Sequence, residues 1–221
     1  MAGIIPPVAA DHDHQLTLHP AAATAMLVLG HGAGSSMTSP FLTGFSERIA
    51  ELGVATHRFD FPYMRAGRRA PDRGPVLIDA YREAWSRAVE VAAGLPLFAG
   101  GRSMGGRIAS MAAAEGMPAV GLVFLAYPLH PPGRPEKIRD AHLYSLQMPM
   151  LFLQGTRDSF AQPAVLGGVL ERLGSRAQLV SIEGGDHSFA RAGASRDGRR
   201  IGASLAPPAA AFVERVMAGS G

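Results

Sequence analysis

Short apolar runs, each stopped by glycine, proline or a polar cluster, recur along the chain: AMLVLG (25–30), VATHRFD (54–60), LPLFAGG (95–101), VGLVFLAY (120–127), MLFLQG (150–155) and AQLVSIEG (177–184). Continuous apolar runs of this length suit strands buried on both faces, and six central strands follow from them. Between the runs the apolar positions change to helical spacing. SPFLTGFSERIAELG (39–53) repeats Phe41, Leu42, Phe45, Ile49 and Leu52 near a helical period, with Gly53 placed to stop the helix. The segment 76–94 puts Ile78, Tyr81, Trp85, Ala88 and Val89 on one face, so Tyr81 and Trp85 read as core residues facing a sheet. Helices also fit 104–116, 162–173 and 206–218, and Leu16 to Leu18 reads as an edge strand. Strands alternating with helices predict an α/β fold with a mostly parallel central sheet of about six to seven strands and helices on both faces.

Residues 1–15 read as a flexible amino-terminal segment and 16–221 as a single domain, within the size one α/β sheet ordinarily uses. With 47 % apolar and 18 % charged residues, the chain can bury a substantial core. A formal charge of +3, almost wholly from arginine with Lys137 the single lysine, forms no concentrated stripe with interleaved aromatics, so no nucleic-acid partner is expected. The dense basic run Arg65 to Arg73 is broken by Gly67 and Pro71 and reads as a solvated loop, with a substrate-attracting rim as the competing reading. GASRDGRR (193–200) reads as a mobile loop. With no cysteine, disulfides, a thiolate nucleophile and cysteine-type zinc sites are excluded. No stretch reaches the ~18 apolar residues of a membrane span, and the amino terminus lacks the regions of a signal peptide, so a cytoplasmic protein is expected.

The strongest chemical signal is Gly101-Arg102-Ser103-Met104-Gly105, a G-x-S-x-G pattern between the strand LPLFAG and the small apolar helix GRIASMAAAEG. A serine nucleophile must stand on a tight strand-to-helix turn, and Gly101 and Gly105 remove side chains that would clash there. The helix start beneath it favours the negative charge of acyl transfer. Gly30-His31-Gly32-Ala33-Gly34 closes the first strong strand, where a second backbone N–H for an oxyanion belongs. Met104 and Ala33 are assigned as the donors, with Gly34 the alternative and Gly32 as a loop glycine. The same loop starts a dinucleotide pattern, but Ser35 stands where its last glycine should be, and no Walker motif follows.

His187, two residues past a Gly-Gly pair in SIEGGDHSF, is placed as the base beyond the last strand. His31 belongs to the oxyanion loop, His57 lies inside a strand, and His130 and His142 fall in a connection. Asp158, after MLFLQG, is the acid that would hold the imidazole in one tautomer. Asp186 would point away from the ring, and Asp60 is expected to fix the loop FDFPYM. Asp11-His12-Asp13-His14 has a metal-binding composition but reads as a solvated tail, and no metal or other cofactor is expected.

VLGHGAG, RFDFPYMR, GGRSMGG, AYPLHPPGRPEKIRDAHL, LFLQGTRD and GGDHSF, in that order over roughly residues 25–190, resemble the small α/β-hydrolases related to the dienelactone-hydrolase group, specifically the KANL3/Tex30-type branch. The resemblance implies the α/β-hydrolase fold and Ser103, Asp158 and His187 as its triad. Dienelactone hydrolases proper carry a cysteine nucleophile, which this chain lacks. The connection from Pro128 to Met148 is short and proline-rich, so no large cap domain is expected and the site should be open. Hydrolysis of a carboxylic ester or thioester of a small acyl substrate is the leading expectation. A peptidase or amidase with the same residues, or a non-catalytic binding module on the same fold, are the alternatives. Oligomeric state is not legible.

Overall fold

The computed structural model describes residues 14–219. Its strands are β1 (Gln15–Leu18), β2 (Ala25–Gly30), β3 (Val54–Phe59), β4 (Leu97–Arg102), β5 (Leu122–Leu125), β6 (Met150–Gly155) and β7 (Ala177–Ile182). The helices are α1 (Pro40–Glu51), α2 (Pro62–Arg65), α3 (Gly74–Val91), α4 (Met104–Ala114), α5 (Pro163–Leu173) and α6 (Gly198–Ala218). All strands join one sheet in the order β1-β3-β2-β4-β5-β6-β7, and only β1 runs antiparallel to its neighbour. After β2 the chain steps to β3 on one side, then returns to place β4 on the other. In an open α/β sheet the crevice at such a reversal is where ligands bind. This is the α/β-hydrolase fold without a large cap, since the stretch between β5 and β6 holds only a 3₁₀ turn, Ala141–Ser145.

Alternation within the strands divides the core in two. Met26 and Val28, Leu122 and Phe124, and Met150 and Phe152 face a layer built by α3, α4 and α5. Leu27 and Leu29, Val123 and Leu125, and Leu151 and Leu153 face α1 and α6. Strands flanked by both layers bury every residue, which is why they read as unbroken apolar runs. The run AQLVSIEG is the exception to the six buried strands expected. Its strand β7 lies at the sheet edge, with Leu179 39 % exposed.

Tyr81 and Trp85 are buried as expected, but Val89 is 50 % exposed. The buried stripe of α3 is centred on Leu77, Ala80, Tyr81, Ala84 and Ala88, whose small residues let the helix approach the sheet, and Val89 lies at its border. The carboxy-terminal helix begins at Gly198 and not at 206, so the expected mobile loop 193–200 ends three residues early in helix. The Asp197 side chain accepts the Arg199 N–H, a hydrogen bond that starts the helix. Close packing on α1 continues it: a Cβ on Gly44 would lie 2.0 Å from the Arg199 carbonyl oxygen, and one on Gly202 would lie 2.0 Å from that of Phe41. Pro207 and Pro208 each remove a helix hydrogen bond, a loss offset by burial of Leu205, Ala206, Ala209, Phe212 and Val213.

His142 lies in the 3₁₀ turn with its Nε2 2.8 Å from Ser110 Oγ of α4. Burial first, and then the Arg107 charge, push its pKa down to about 4. The folded chain therefore holds His142 neutral where the unfolded chain, with an ordinary value of 6.5, takes up a proton. Its contribution to stability is complete above that value and is lost as pH falls towards 4. Urea midpoints of the wild type should drop more steeply between neutral and mildly acidic pH than those of His142→Gln; parallel slopes would show that His142 titrates as it does unfolded.

Candidate active site

β2 and β4 pair in parallel with Gly30 opposite Gly101, so the loops that leave them open at the same carboxyl end of the sheet. Backbone meets backbone there. A Cβ on Gly105 would lie 2.1 Å from the Gly30 carbonyl oxygen, and one on Gly101, at φ +150°, would lie 2.3 Å from the same atom. These glycines let α4 begin directly against β2. Gly32 differs: a Cβ there would meet nothing nearer than 3.7 Å, so space alone does not require glycine.

Ser103 joins β4 to α4 at φ 49°, ψ −115°, a conformation costly for a residue with a side chain. Its N–H donates to the Leu125 carbonyl, which helps hold the turn. The hydroxyl is 2.8 Å from His187 Nε2, and His187 Nδ1 is 2.7 Å from Asp158 Oδ2. Because the carboxylate can only accept, Nδ1 carries the proton and Nε2 presents its lone pair to the Ser103 hydroxyl. Asp158 is 1 % exposed and its carboxylate also accepts from Gln154 Nε2 and from the Phe160 N–H. The Phe160 ring packs 4.5 Å from the imidazole. The row can therefore take the hydroxyl proton and stabilise the imidazolium that results.

Asp158 and His187 meet because the chain segments before them are pressed together. A Cβ on Gly155 would lie 2.3 Å from the Gly185 carbonyl oxygen, which also accepts the Arg157 N–H. Asp186 faces away from the ring as expected, with Oδ1 accepting the N–H groups of Ser188 and Ala190 and so closing the turn that carries His187. Asp60 fixes FDFPYM by tying it to a neighbouring loop. Its Oδ1 accepts the Met37 N–H of the loop after β2.

His31 is wholly buried, and burial is the main cause of its lowered pKa. Its Nδ1–H donates to the Gly32 carbonyl at 2.8 Å, while Nε2 accepts the Phe61 N–H at 3.1 Å. That carbonyl also accepts the Ser35 N–H. In a trans peptide the Ala33 N–H points opposite to the Gly32 carbonyl, so His31 sets its direction. The Gly34 N–H donates to Tyr63 Oη at 3.2 Å, which removes it from the cleft. Met104 is the first residue of α4, where helix N–H groups have no partner within the helix. Among the described residues, neither the Ala33 nor the Met104 N–H has a protein acceptor.

These groups border a cleft of about 470 Å³ lined also by Leu77, Arg107, His130, Pro132 and Arg139. Pro71, Asp72 and Gly74, at the end of the basic run, form part of its rim, and Arg68 pairs with Asp72 at 2.7 Å. Sequence reasoning missed Arg107, Arg139, Phe160 and Gln154. Arg107 was legible in principle, four residues after Ser103 and hence on the same helix face; the others come from loops or strand ends that carry no such spacing. His14, from the metal-like cluster, has Nδ1 3.7 Å from Asp60, while Asp11 to Asp13 lie outside the described residues. Among the described residues there is no group of side chains that could hold a metal ion, and no helix is long and apolar enough to cross a membrane.

The alpha/beta hydrolase domain family model matches residues 23–214. A lid-less α/β serine hydrolase from Xanthomonas campestris superposes with a TM-score of 0.71 at 23 % identity, covering 91 % of this chain and 88 % of that one. A dienelactone hydrolase from Anabaena variabilis gives 0.70 at 21 % identity over 91 % and 90 % of the two chains. An α/β serine hydrolase homologue from Coxiella burnetii gives 0.66 at 17 % identity over 87 % and 88 %. At these identities the likeness carries the fold alone.

Proposed function

Because the chain belongs to the alpha/beta hydrolase family, we propose that it is a serine hydrolase that cleaves carboxylic esters or thioesters through an acyl-enzyme on Ser103. The observation that carries this reading is the row Ser103 Oγ, His187 and Asp158, joined by contacts of 2.8 and 2.7 Å on a strained strand-to-helix turn. In the proposed reaction Ser103 Oγ attacks the substrate carbonyl while His187 Nε2 takes its proton. Charge collects on the former carbonyl oxygen, where the N–H groups of Met104 and Ala33 receive it. His187 then returns the proton to the leaving alcohol or thiol as the bond to carbon breaks. Water attacks the acyl-enzyme by the same route and releases the acid. The motifs quoted above further suggest the KANL3/Tex30-type branch of small hydrolases related to dienelactone hydrolases.

With only a short 3₁₀ turn between β5 and β6, no cap encloses a long acyl chain over the cleft, which favours short acyl groups. Treatment with a fluorophosphonate probe, followed by peptide mapping, should place the adduct on Ser103. The same protein should hydrolyse p-nitrophenyl acetate and butyrate faster than octanoate. Labelling elsewhere, or none, would remove the reading.

A further inference from the structure

Arg107 and Arg139 line the cleft that Ser103 borders, and neither has a carboxylate partner among the described residues. Arg107 donates Nη1–H to the Met111 thioether, a weak acceptor, at 3.0 Å. Among the described residues neither Arg107 nor Arg139 forms an ion pair, although most other arginines that contact a carboxylate do so on the open surface. The nearby acids are engaged elsewhere. Asp140 accepts the Tyr144 hydroxyl, and Asp72 is paired with Arg68. Arg102 also lines the cleft, but it lies over the Phe41 ring and donates to Ser188 Oγ.

Burial first, and then the neighbouring Arg139 charge, lower the Arg107 pKa. A guanidinium that is partly buried beside a second positive charge, neither paired with a carboxylate, is relieved by an anion. Four residues of helix put the Arg107 Cα ~6 Å from that of Ser103, so both residues border the same part of the cleft.

We propose that Arg107 and Arg139 form an anion subsite and that the substrate carries a carboxylate or phosphate close to its scissile ester. This deepens the hydrolase reading and rests on it for the word substrate, but the subsite can be measured without turnover. Arginine presents paired donors that match either oxyanion. The anion can be borne by the acyl part or by the leaving group.

Two substrate pairs separate these sources. p-Nitrophenyl hemiglutarate is compared with p-nitrophenyl valerate, and the acetyl ester of 4-hydroxyphenyl phosphate with 4-methoxyphenyl acetate. The wild type is expected to favour the anionic member of at least one pair in kcat/KM. Arg107→Gln and Arg139→Gln should each reduce that preference, taken as a ratio, tenfold or more, and Arg139→Lys should keep part of it. A reduced ratio in the first pair places the anion on the acyl side, and in the second on the leaving side. No anionic preference in the wild type, or a ratio unchanged in both variants, overturns the proposal. Calorimetric binding of glutarate and phenyl phosphate to Ser103→Ala protein reads the subsite without chemistry: binding that Arg139→Gln weakens tenfold supports it, and binding of neither anion overturns it. Absence of all ester hydrolysis together with retained anion binding would count against the hydrolase reading alone.

Discussion

Ser103→Ala is expected to lower kcat for p-nitrophenyl butyrate on the order of 10⁶-fold, the scale seen when a serine nucleophile is removed from such a row. The hydroxyl is the only atom lost, and it is the atom 2.8 Å from His187 Nε2. The proposed oxyanion donors and the cleft itself remain, so a residual rate above that in water, on the order of 10³-fold, should persist. Stability gives an independent reading of the turn. Alanine retains a Cβ and so keeps the cost of φ 49°, ψ −115°, whereas Ser103→Gly is free of it and should unfold at higher denaturant by about 1 kcal/mol. Equal activity in wild type and Ser103→Ala would remove the nucleophile assignment; equal stability of the alanine and glycine variants would remove the claim of strain.

Asp158→Asn should cost about 10⁴-fold in kcat while leaving the fold intact. The physical reason is the tautomer. Asp158 Oδ2 accepts from His187 Nδ1 at 2.7 Å, which leaves Nε2 free to accept the Ser103 proton. An asparagine amide facing Nδ1 would donate instead, move the ring proton to Nε2 and turn the base into a donor. Its new amide would also oppose Gln154 Nε2, but the Gln154 Oε1 has no partner and a flip of that side chain would accept it. Melting close to wild type with a collapse in kcat is the expected pair of results. A fall of less than tenfold in kcat would show that another group orients His187, and unfolding would show that the buried carboxylate acts mainly on stability.

Much of this arrangement can be read from local pattern. Strands buried on both faces must be apolar throughout, so β2, β5 and β6 announce themselves within a residue or two, and the G-x-S-x-G turn needs its glycines wherever it occurs. Gly101 and Gly105 were legible for that reason, and both prove to touch the Gly30 carbonyl. The order of strand, serine, aspartate and histidine likewise follows from chain connectivity alone. Where a residue's role depends on who its neighbours are, pattern falls short. Val89 matches the helical period but misses the stripe that faces the sheet, and AQLVSI is apolar enough for a central strand yet lies at the edge.

The sequence by itself determined the alternation of strands and helices and the turn that bears Ser103, because each depends on spacing within a few residues, and it pointed to Asp158 and His187 as the proposed companions by their order after successive strands. Only the tertiary structure separates Ala33 from Gly34, since Tyr63, brought from α2, takes the Gly34 N–H and leaves that of Ala33 without a protein acceptor. It alone showed that His31 aims the Ala33 N–H, that Gly155 and Gly185 press Asp158 and His187 together, and that Arg107 and Arg139 share a cleft. Those facts join residues from separate segments, and their energy comes from burial, contact and charge at close range, which exist only once the chain has folded.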